Sequence, residues 1–461
     1  MPSEGNGMSR DKPFIDDVGA DIFALAEKIY PICRSITGDG VRQTLREIAA
    51  HIPLDIHEVS TGTAVLDWTV PREWNIRDAW IKDARGEKVV DFSRSNLHVM
   101  SYSVPVRQRM SLAELKTHIY TLPEQPDLIP YRTSYYAENW AFCMSHRQFE
   151  ALRDETYEVC IDSSLTDGHL TYGEYLHRGE SEDEFLLSAH VCHPSLANDN
   201  CSGIALLAQL ARRISQTRTR YSYRFLFAPG TIGAITWLAR NEANVHRIKH
   251  GIVVSMLGDR GGPTYKKSRR GNTAIDRAMV HVLNHSGLPS VVEDFSPYGY
   301  DERQYCSPGF NLAVGCLTRT PNGEYAEYHT SADDLSLVSA DSLAASLAAC
   351  ERIVEILEHE ARYVNLQPHC EPQLGKRGLY RPTGGTGLPD YEMALLWVLN
   401  FSDGEHSLLE IADRAGIEFS TMLRAAQDLD AHELVRRAPL QPRRDTARRA
   451  SMINVAQSHH A

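Results

Sequence analysis

The 461-residue chain is 42% hydrophobic and 23% charged, which is typical of a soluble globular protein, and its length predicts two or three domains. Its net charge of −12 argues against a general nucleic-acid binder, which would present a basic face. Nine cysteines without a regular spacing indicate reduced thiols in a cytoplasm rather than a disulfide scaffold. The N-terminus is polar and no apolar run approaches the ~18 residues of a membrane span, so we expect a cytosolic protein.

Taken in chain order, the first pattern is a pair of amphipathic helices that begin near Asp21 and Val41. From about Leu54, short alternating segments separated by Pro, Gly and Asp predict a β-rich region. Beyond Asp183, apolar runs alternate with helical patterns, which is typical of a mainly parallel sheet with helices on both faces. The predicted strands are 185–189, 224–228, 252–257 and 312–317, and the predicted helices are 204–214, 232–241, 274–285 and 340–359.

A Pro- and Gly-rich linker follows the α/β pattern, and the helical segments beyond it have helix-turn-helix spacing. The presumed recognition helix is acidic, which is the wrong charge for contact with phosphate, so we expect no binding to nucleic acid. The predicted organisation is N-terminal helices at 15–53, an inserted β-rich domain at 54–182, an α/β domain at 183–366, a linker at 367–387, a helix-turn-helix domain at 388–438 and a disordered tail at 439–461.

The most informative segment runs from Ser188 to Gly203 and reads Ser-Ala-His-Val-Cys-His-Pro-Ser-Leu-Ala-Asn-Asp-Asn-Cys-Ser-Gly. It places His190 at the end of a strand and Asp199 just before a helix, at the sheet edge where α/β proteins bind ligands. Imidazole plus carboxylate is the ligand set of a hydrolytic zinc site, and the segment 328–334 offers a third ligand. A lone histidine at a strand end is more often structural, but the nearby second His and Cys favour a site.

This α/β region resembles the zinc aminopeptidase superfamily, which includes di-zinc bacterial aminopeptidases and single-zinc glutaminyl cyclases. His190 and the acidic turn around Asp199 carry the resemblance, which implies that Asp199 bridges two metals. The late Tyr-His-Thr matches the segment that supplies the last histidine ligand, so the resemblance assigns that role to His329. Nearly the whole chain is similar to a group of bacterial aminopeptidase-like proteins that share the His-Val-Cys-His-Pro-Ser segment, an inserted β domain and a C-terminal winged helix.

Two departures from the superfamily pattern concern the base and the second metal. The superfamily has two adjacent glutamates, one a general base and one a ligand, where this chain has Ala-Pro-Gly at 228–230. Ser255 stands where the next strand should end in a ligand aspartate, and the nearest carboxylate is Asp259. Asp259 therefore remains a candidate ligand, and the number of metals, one or two, stays open.

Two further residues of the His-Val-Cys-His segment are lesser ligand candidates, His193 and Cys192. The resemblance places Cys192 where the superfamily has an aspartate that supports the ligand histidine, so that support is lost or changed. The expected metal ligands are accordingly His190, Asp199, His329 and Asp259.

The best replacement for the missing base is the segment 301–304, which follows a strand end at the predicted active edge. Glu302 would accept a proton from a zinc-activated water, and Arg303 would pair with a substrate carboxylate or stabilise an oxyanion. The alternative is that the same charges form an exposed ion-pair loop.

The sequence therefore predicts a zinc-dependent hydrolase of an amide or peptide bond that acts on a small molecule or a short peptide. Two other functions stay open at this point. The chain would be a non-catalytic metal-binding or scaffold protein if the loss of the glutamate pair ended the chemistry, or a DNA-binding regulator if its helix-turn-helix bound duplex DNA. A homo-oligomer is compatible with everything above.

Overall fold

A computed structural model describes residues 18–379 and 390–438, and the chain divides after Glu358 into two compact units. The helices are α1 (Val18–Ile29), α2 (Asp39–Ala49), α3 (Leu112–Lys116), α4 (His146–Glu150), α5 (Gly203–Ile214), α6 (Ile232–Asn241), α7 (Ala274–Asn284), α8 (Glu302–Tyr305), α9 (Ala340–His359), α10 (Asp390–Phe401), α11 (Leu408–Ala415) and α12 (Phe419–Ala431). The strands are β1 (Asp55–Ser60), β2 (Ala64–Val65), β3 (Trp68–Thr69), β4 (Glu73–Lys82), β5 (Lys88–Asp91), β6 (Val106–Ser111), β7 (Ile119–Tyr120), β8 (Phe142–Cys143), β9 (Thr156–Thr166), β10 (His169–His177), β11 (Glu184–His190), β12 (Ser222–Ala228), β13 (Ile248–Val254), β14 (Thr264–Lys266), β15 (Val291–Glu293), β16 (Val314–Thr318), β17 (Arg362–Asn365), β18 (Asp403–Ser407) and β19 (Val435–Ala438).

An eight-stranded sheet forms the centre of the first unit, with the order β1-β10-β12-β11-β13-β16-β14-β15. Its four middle strands, β12, β11, β13 and β16, are parallel, as expected for apolar runs that are buried on both faces. The pairs β1–β10, β10–β12 and β14–β16 are antiparallel, so the sheet is mixed towards its edges. The predicted α/β class is confirmed, and all four predicted strands and all four predicted helices of this region are present.

The β-rich region contributes two strands to the large sheet and forms three smaller sheets of its own, β5-β4-β9-β6, β2-β3 and β7-β8. Its strands β1 and β10 belong to the large sheet, where Asp55 pairs with Glu174 and Ser60 with His169. A separate antiparallel sheet has the order β5-β4-β9-β6 and its own apolar core, which includes Tyr157 and Phe142. The boundaries expected for the insertion, 54–182, are therefore too wide: the separate sheet occupies 73–166, because the flanking strands complete the main sheet.

The second unit combines α10, α11 and α12 with a three-stranded antiparallel sheet in the order β18-β17-β19. Its middle strand is β17, so the unit begins well before residue 388, the expected start of the helix-turn-helix domain. Of the expected linker, residues 380–387 lie outside the described residues, as does the expected tail at 439–461. On α12, Arg424 lies 4.0 Å from Asp428, so the helix pairs its own basic charge.

None of the helices within 18–379 and 390–438 is long and apolar enough to cross a lipid bilayer.

Candidate metal centre

Three side chains from separate elements of the chain meet at the carboxyl edge of the large sheet. His190 is the last residue of β11, Asp199 lies in the distorted helical turn Ala197–Ser202 that leads into α5, and His329 lies between β16 and α9. The Nε2 atom of His190 is 2.8 Å from Oδ1 of Asp199, and the Nε2 atom of His329 is 3.0 Å from Oδ2. The structure thus brings together three of the four expected ligands, one imidazole on each carboxylate oxygen.

His193 is the fourth member of this cluster. Its Nδ1 atom is 3.9 Å from Oδ1 of Asp199, and the ligand atoms of His190, His193 and Asp199 all lie within 4.8 Å of one another. These three residues are buried, whereas the side chain of His329 is 29% exposed. Imidazole nitrogens with one shared carboxylate form a donor set that zinc accepts, so the residues present fit the metal that the fold implies.

The charges in the cluster favour an ionised Asp199. Burial alone would raise the pKa of Asp199, but the neighbouring His193, His190 and His329 hold that pKa well below its usual value. Burial lowers the pKa of His193 to about 3, against the opposing effect of Asp199. His193 is therefore neutral at physiological pH, which is the form of histidine that binds metals.

Asp333 holds the turn that carries Asp199, and sequence reasoning did not single it out. Its Oδ1 accepts the backbone N–H of Asn198 at 2.6 Å, and its Oδ2 accepts that of Asp199 at 3.1 Å. Burial, and then the negative charge of Asp199, raise the pKa of Asp333 to about 8. The sequence could have indicated Asp333, because it belongs to the segment 328–334 that also contains His329.

Asp259 occupies a structural position rather than the ligand position that the sequence suggested. Its carboxylate accepts the side-chain amide of Asn198 at 3.0 Å, the backbone N–H of Gly261 at 2.7 Å, and both the N–H and the hydroxyl of Thr320. Four donors occupy the acceptor positions of one carboxylate, so none remains for a metal. Asp259 instead anchors Asn198, the neighbour of Asp199.

Arg34 fixes the loop that carries His193. It is fully buried, and its Nε donates to the carbonyl oxygen of His193 at 2.9 Å while Nη2 lies 3.0 Å from Sγ of Cys201. Arg34 follows α1, which itself contacts the Ala197–Ser202 turn. The N-terminal helices are therefore part of the support of the site, and nothing in the spacing of Arg34 in the sequence indicated this role.

The position of the missing glutamate is filled by an aromatic ring. A Cβ atom added to Gly230 would overlap the ring of Tyr300, whose hydroxyl is 3.1 Å from Sγ of Cys192. The Tyr300 ring also lies against His190, with centroids 4.0 Å apart. A larger residue at Gly230 would have to displace this ring, so the absence of the glutamate is built into the packing.

A cavity of about 190 Å³ opens beside His190 and Asp199. Glu302 lines it and is fully buried, with Oε1 2.5 Å from Nζ of Lys266 and both oxygens 3.1 Å from the backbone N–H of Tyr300. The alternative of an exposed ion-pair loop is therefore wrong for Glu302. The other residues that line the cavity are mostly polar or aromatic: Ser255, Met256, Thr264, Lys266, Glu293, Ser296, Tyr298, Gly299, Tyr300, Cys316, Thr318, Pro321, Asn322, Glu324 and Tyr328.

Arg303 is not among the residues that line the cavity, so the substrate-binding role predicted for it has no contact to support it.

Asp301 is fully buried, and neither of its carboxylate oxygens has a hydrogen-bond partner among the described residues. Burial, and then the neighbouring Glu302, raise the pKa of Asp301 to about 8, although Arg303 opposes the rise.

We expect Asp301 to make the protein less stable as the pH rises. In the unfolded chain this carboxyl group ionises above pH ~4, whereas in the folded protein it keeps its proton up to about pH 8. The folded state holds the extra proton between these values, so the free energy of unfolding should fall as the pH rises through that window. Asp301→Asn should flatten the dependence of Tm on pH between 5 and 8 without removing it, because Asp333 contributes in the same direction. An unchanged slope in the variant would contradict the assignment.

Comparison with known proteins agrees with this architecture. A family model described as a domain of unknown function, DUF4910, matches residues 23–360, and a winged helix-turn-helix model matches residues 361–437. A Clostridium acetobutylicum protein, provisionally named a polysaccharide biosynthesis protein with an aminopeptidase-like domain, is 52% identical over 421 residues, which are 91% of this chain and 97% of that protein.

Two solved structures extend the comparison to the fold. A crystal structure of a provisionally named peptidase from Clostridium acetobutylicum has a TM-score of 0.88 at 51% identity and covers 92% of this chain and 97% of its own. The zinc aminopeptidase of Bacillus subtilis has a TM-score of 0.55 at 13% identity, over 74% of this chain and 94% of its own, which is a likeness in fold alone. The chain therefore belongs to the DUF4910 family, which here combines a zinc-aminopeptidase-like fold with a C-terminal winged helix.

Proposed function

We propose that this chain is a cytosolic zinc-dependent hydrolase of an amide or peptide bond. The observation that carries the proposal is the convergence of His190, His193 and His329 on the single carboxylate of Asp199, beside a cavity. A structural histidine needs one hydrogen-bond partner, whereas three imidazoles around one buried carboxylate form a metal-binding arrangement. A bound zinc ion would polarise the scissile carbonyl and lower the pKa of a water molecule.

The residues of the chain would bind the metal and accept the proton of the attacking water. His190, His193 and Asp199 would hold the zinc, and His329, which lies beside the second oxygen of the carboxylate, would complete the ligand set. Glu302 would accept the proton of the attacking water at Oε2, since Oε1 is paired with Lys266. In this proposal the ion pair with Lys266 holds Glu302 in place.

The size of the cavity and its mixed polar and aromatic lining favour a small substrate. At about 190 Å³ it is smaller than the ~300–1,000 Å³ that is usual for sites of drug-sized ligands. An aminoacyl group or an N-acyl group on a sugar fits this lining of hydroxyls, carboxylates and tyrosine rings. The Clostridium relative's name also points to carbohydrate chemistry. We therefore propose short aminoacyl amides and N-acylated sugars as the substrates to test first.

The proposal is tested by metal analysis and a hydrolysis screen on the same purified protein. We expect about one zinc per chain by mass spectrometry, because one complete set of ligands is present. We also expect zinc-dependent hydrolysis of at least one member of a panel of aminoacyl amides and N-acylated sugars, lost on chelation and restored by added zinc. Zinc without hydrolysis of any amide would favour the non-catalytic metal-binding alternative, and a protein that takes up no zinc would exclude the proposed function.

A further inference from the structure

The β-rich region that interrupts the α/β fold contributes directly to the metal centre. Its segment 129–131 runs antiparallel to 329–331, with a bridge between Pro130 and Thr330. The backbone N–H of Tyr131 donates to the carbonyl oxygen of His329 at 2.8 Å, and the N–H of Ser331 donates to the carbonyl oxygen of Ile129 at 2.8 Å. The hydroxyl of Ser331 also accepts the N–H of Ile129 at 3.0 Å. A short ladder therefore joins the inserted region to the loop that carries His329.

This ladder lies where the backbone of His329 needs support. His329 has φ = 55°, in the left-handed region that residues other than glycine rarely adopt. Such a conformation persists only where the surrounding structure holds it. The carbonyl of His329 and the next two residues are held by segment 129–131, so the inserted region stabilises the conformation that points the imidazole at Asp199.

The side chain of Tyr131 adds a second restraint, on the rings themselves. Its ring meets His193 at 5.1 Å and 68°, and His329 at 5.0 Å and 88°, both edge-to-face arrangements. Tyr328 stacks on His329 at 3.9 Å, so His329 is held between two tyrosines. Tyr131 is buried and its hydroxyl pairs with that of Tyr135 at 2.9 Å, which fixes the orientation of the ring.

We propose that Tyr131 is a positioning residue of the metal centre, which holds His193 and His329 at the angles that bind zinc. The inference rests on the proposed function for the identity of the metal but not for the reaction. Tyr131 does not line the cavity, so it acts on the ligands and not on the substrate. The inserted region is thus a working part of the site rather than an appended module.

The test compares the zinc affinity of Tyr131 variants in the full-length protein. Tyr131→Leu keeps an apolar side chain but removes the ring edge, and should weaken zinc binding about tenfold or more in competition with a chromophoric chelator, the scale seen when a partner of a metal ligand is removed. Tyr131→Phe keeps the ring and should bind zinc almost as tightly as the wild type. With cobalt in place of zinc, the visible absorption bands of Tyr131→Leu should shift, because ligand angles set those bands.

Tyr157→Leu is the matched control. Tyr157 is a buried tyrosine of the same inserted region, but it belongs to the core of the separate sheet and bonds to Arg153. This variant should lower Tm and leave the zinc affinity and the cobalt spectrum unchanged. Equal zinc affinity and an unshifted cobalt spectrum in Tyr131→Leu and the wild type would overturn the inference, as would equal losses in Tyr131→Leu and Tyr157→Leu. If the wild-type protein binds zinc but hydrolyses nothing, the proposed function is wrong. The comparison of zinc affinity between Tyr131→Leu and Tyr157→Leu would still test the role of Tyr131.

Discussion

Replacement of Asp199 by asparagine is expected to abolish zinc binding while the chain still folds. Asp199 is the one carboxylate in the cluster, each of its oxygens contacts an imidazole, and its pKa is held well below the usual range, so it is ionised at neutral pH. Asparagine keeps the shape and removes the charge. Loss of a supporting residue already costs about 10–100-fold in metal affinity, so loss of the central charged ligand should cost more than about a hundredfold. Mass spectrometry for zinc and circular dichroism for folding would measure the two effects separately.

Asp259→Asn is the control for this experiment. Asp259 is also buried and acidic, but four donors from the chain occupy its carboxylate, so its variant should keep zinc and lose stability. His190→Ala and His329→Ala should lose zinc together with Asp199→Asn. If two of these three variants kept full zinc, the assignment of the centre would be wrong, and loss of zinc from Asp259→Asn would restore Asp259 as a ligand.

The central α/β elements were predictable because they are governed by local pattern. The strands β11 and β12 are buried along their whole length, so they read as unbroken apolar runs. Helix α6 matches its predicted range at both ends, and α5 begins one residue earlier than predicted. Buried parallel strands and amphipathic helices leave this signature in a single sequence, and it was sufficient for the fold class.

The edges of the sheet were not predictable in the same way. Strand β1 is mostly exposed and pairs with β10, more than a hundred residues later, so nothing local assigns it to the main sheet rather than to the inserted one. The same reason applies to β17, which precedes the expected linker and becomes the middle strand of the second unit. Strand pairing at long range depends on register and on burial of one face, and neither can be read from one chain alone.

In the metal centre, too, some residues could be predicted from the sequence and others could not. His190, Asp199 and His329 were predicted by their positions beside elements and by resemblance, and the structure brings them together. Arg34 and Tyr131 could not have been found, because they act across 159 and about 200 residues of sequence and carry no motif. The segment that holds a site in place is chosen by packing, which is why the chemistry was easier to predict than its support.

Replacement of Glu302 by glutamine should reduce turnover about a hundredfold or more, the effect of removing a general base, and leave zinc in place. Glu302 lines the same cavity as His190 and Asp199. It is buried, and unlike Asp199 it is not a member of the group of clustered metal ligands. Glutamine retains an oxygen that can accept from Lys266 and from the Tyr300 N–H, so the local structure should survive. Steady-state kinetics on the best substrate of the amide panel, with zinc content measured on the same samples, would show the effect. Loss of zinc would make Glu302 a ligand instead.

Variants of Lys266 distinguish a catalytic role of Glu302 from a structural role as the ion-pair partner of Lys266. Removing one partner of a buried pair leaves the other charge uncompensated, so Glu302→Gln alone could act through folding. Asp301→Asn is a second control, and we expect from it a smaller loss of turnover, because Asp301 does not line the cavity. Lys266→Met leaves the carboxylate of Glu302 in place and should reduce turnover less than Glu302→Gln does.

The double variant Lys266→Met with Glu302→Gln decides between the two explanations. It contains no unpaired charge at this position, so its stability should recover towards that of the wild type. If Glu302 is the base, turnover stays as low as in Glu302→Gln alone, because glutamine cannot take a proton from water whatever its neighbour. If Glu302 serves only to balance Lys266, turnover recovers with stability. In that case the base must lie elsewhere, and Asp301, whose carboxylate has no hydrogen-bond partner in the described part of the chain, becomes the next group to test. It is buried beside Glu302, and its pKa of about 8 suits proton exchange near neutral pH.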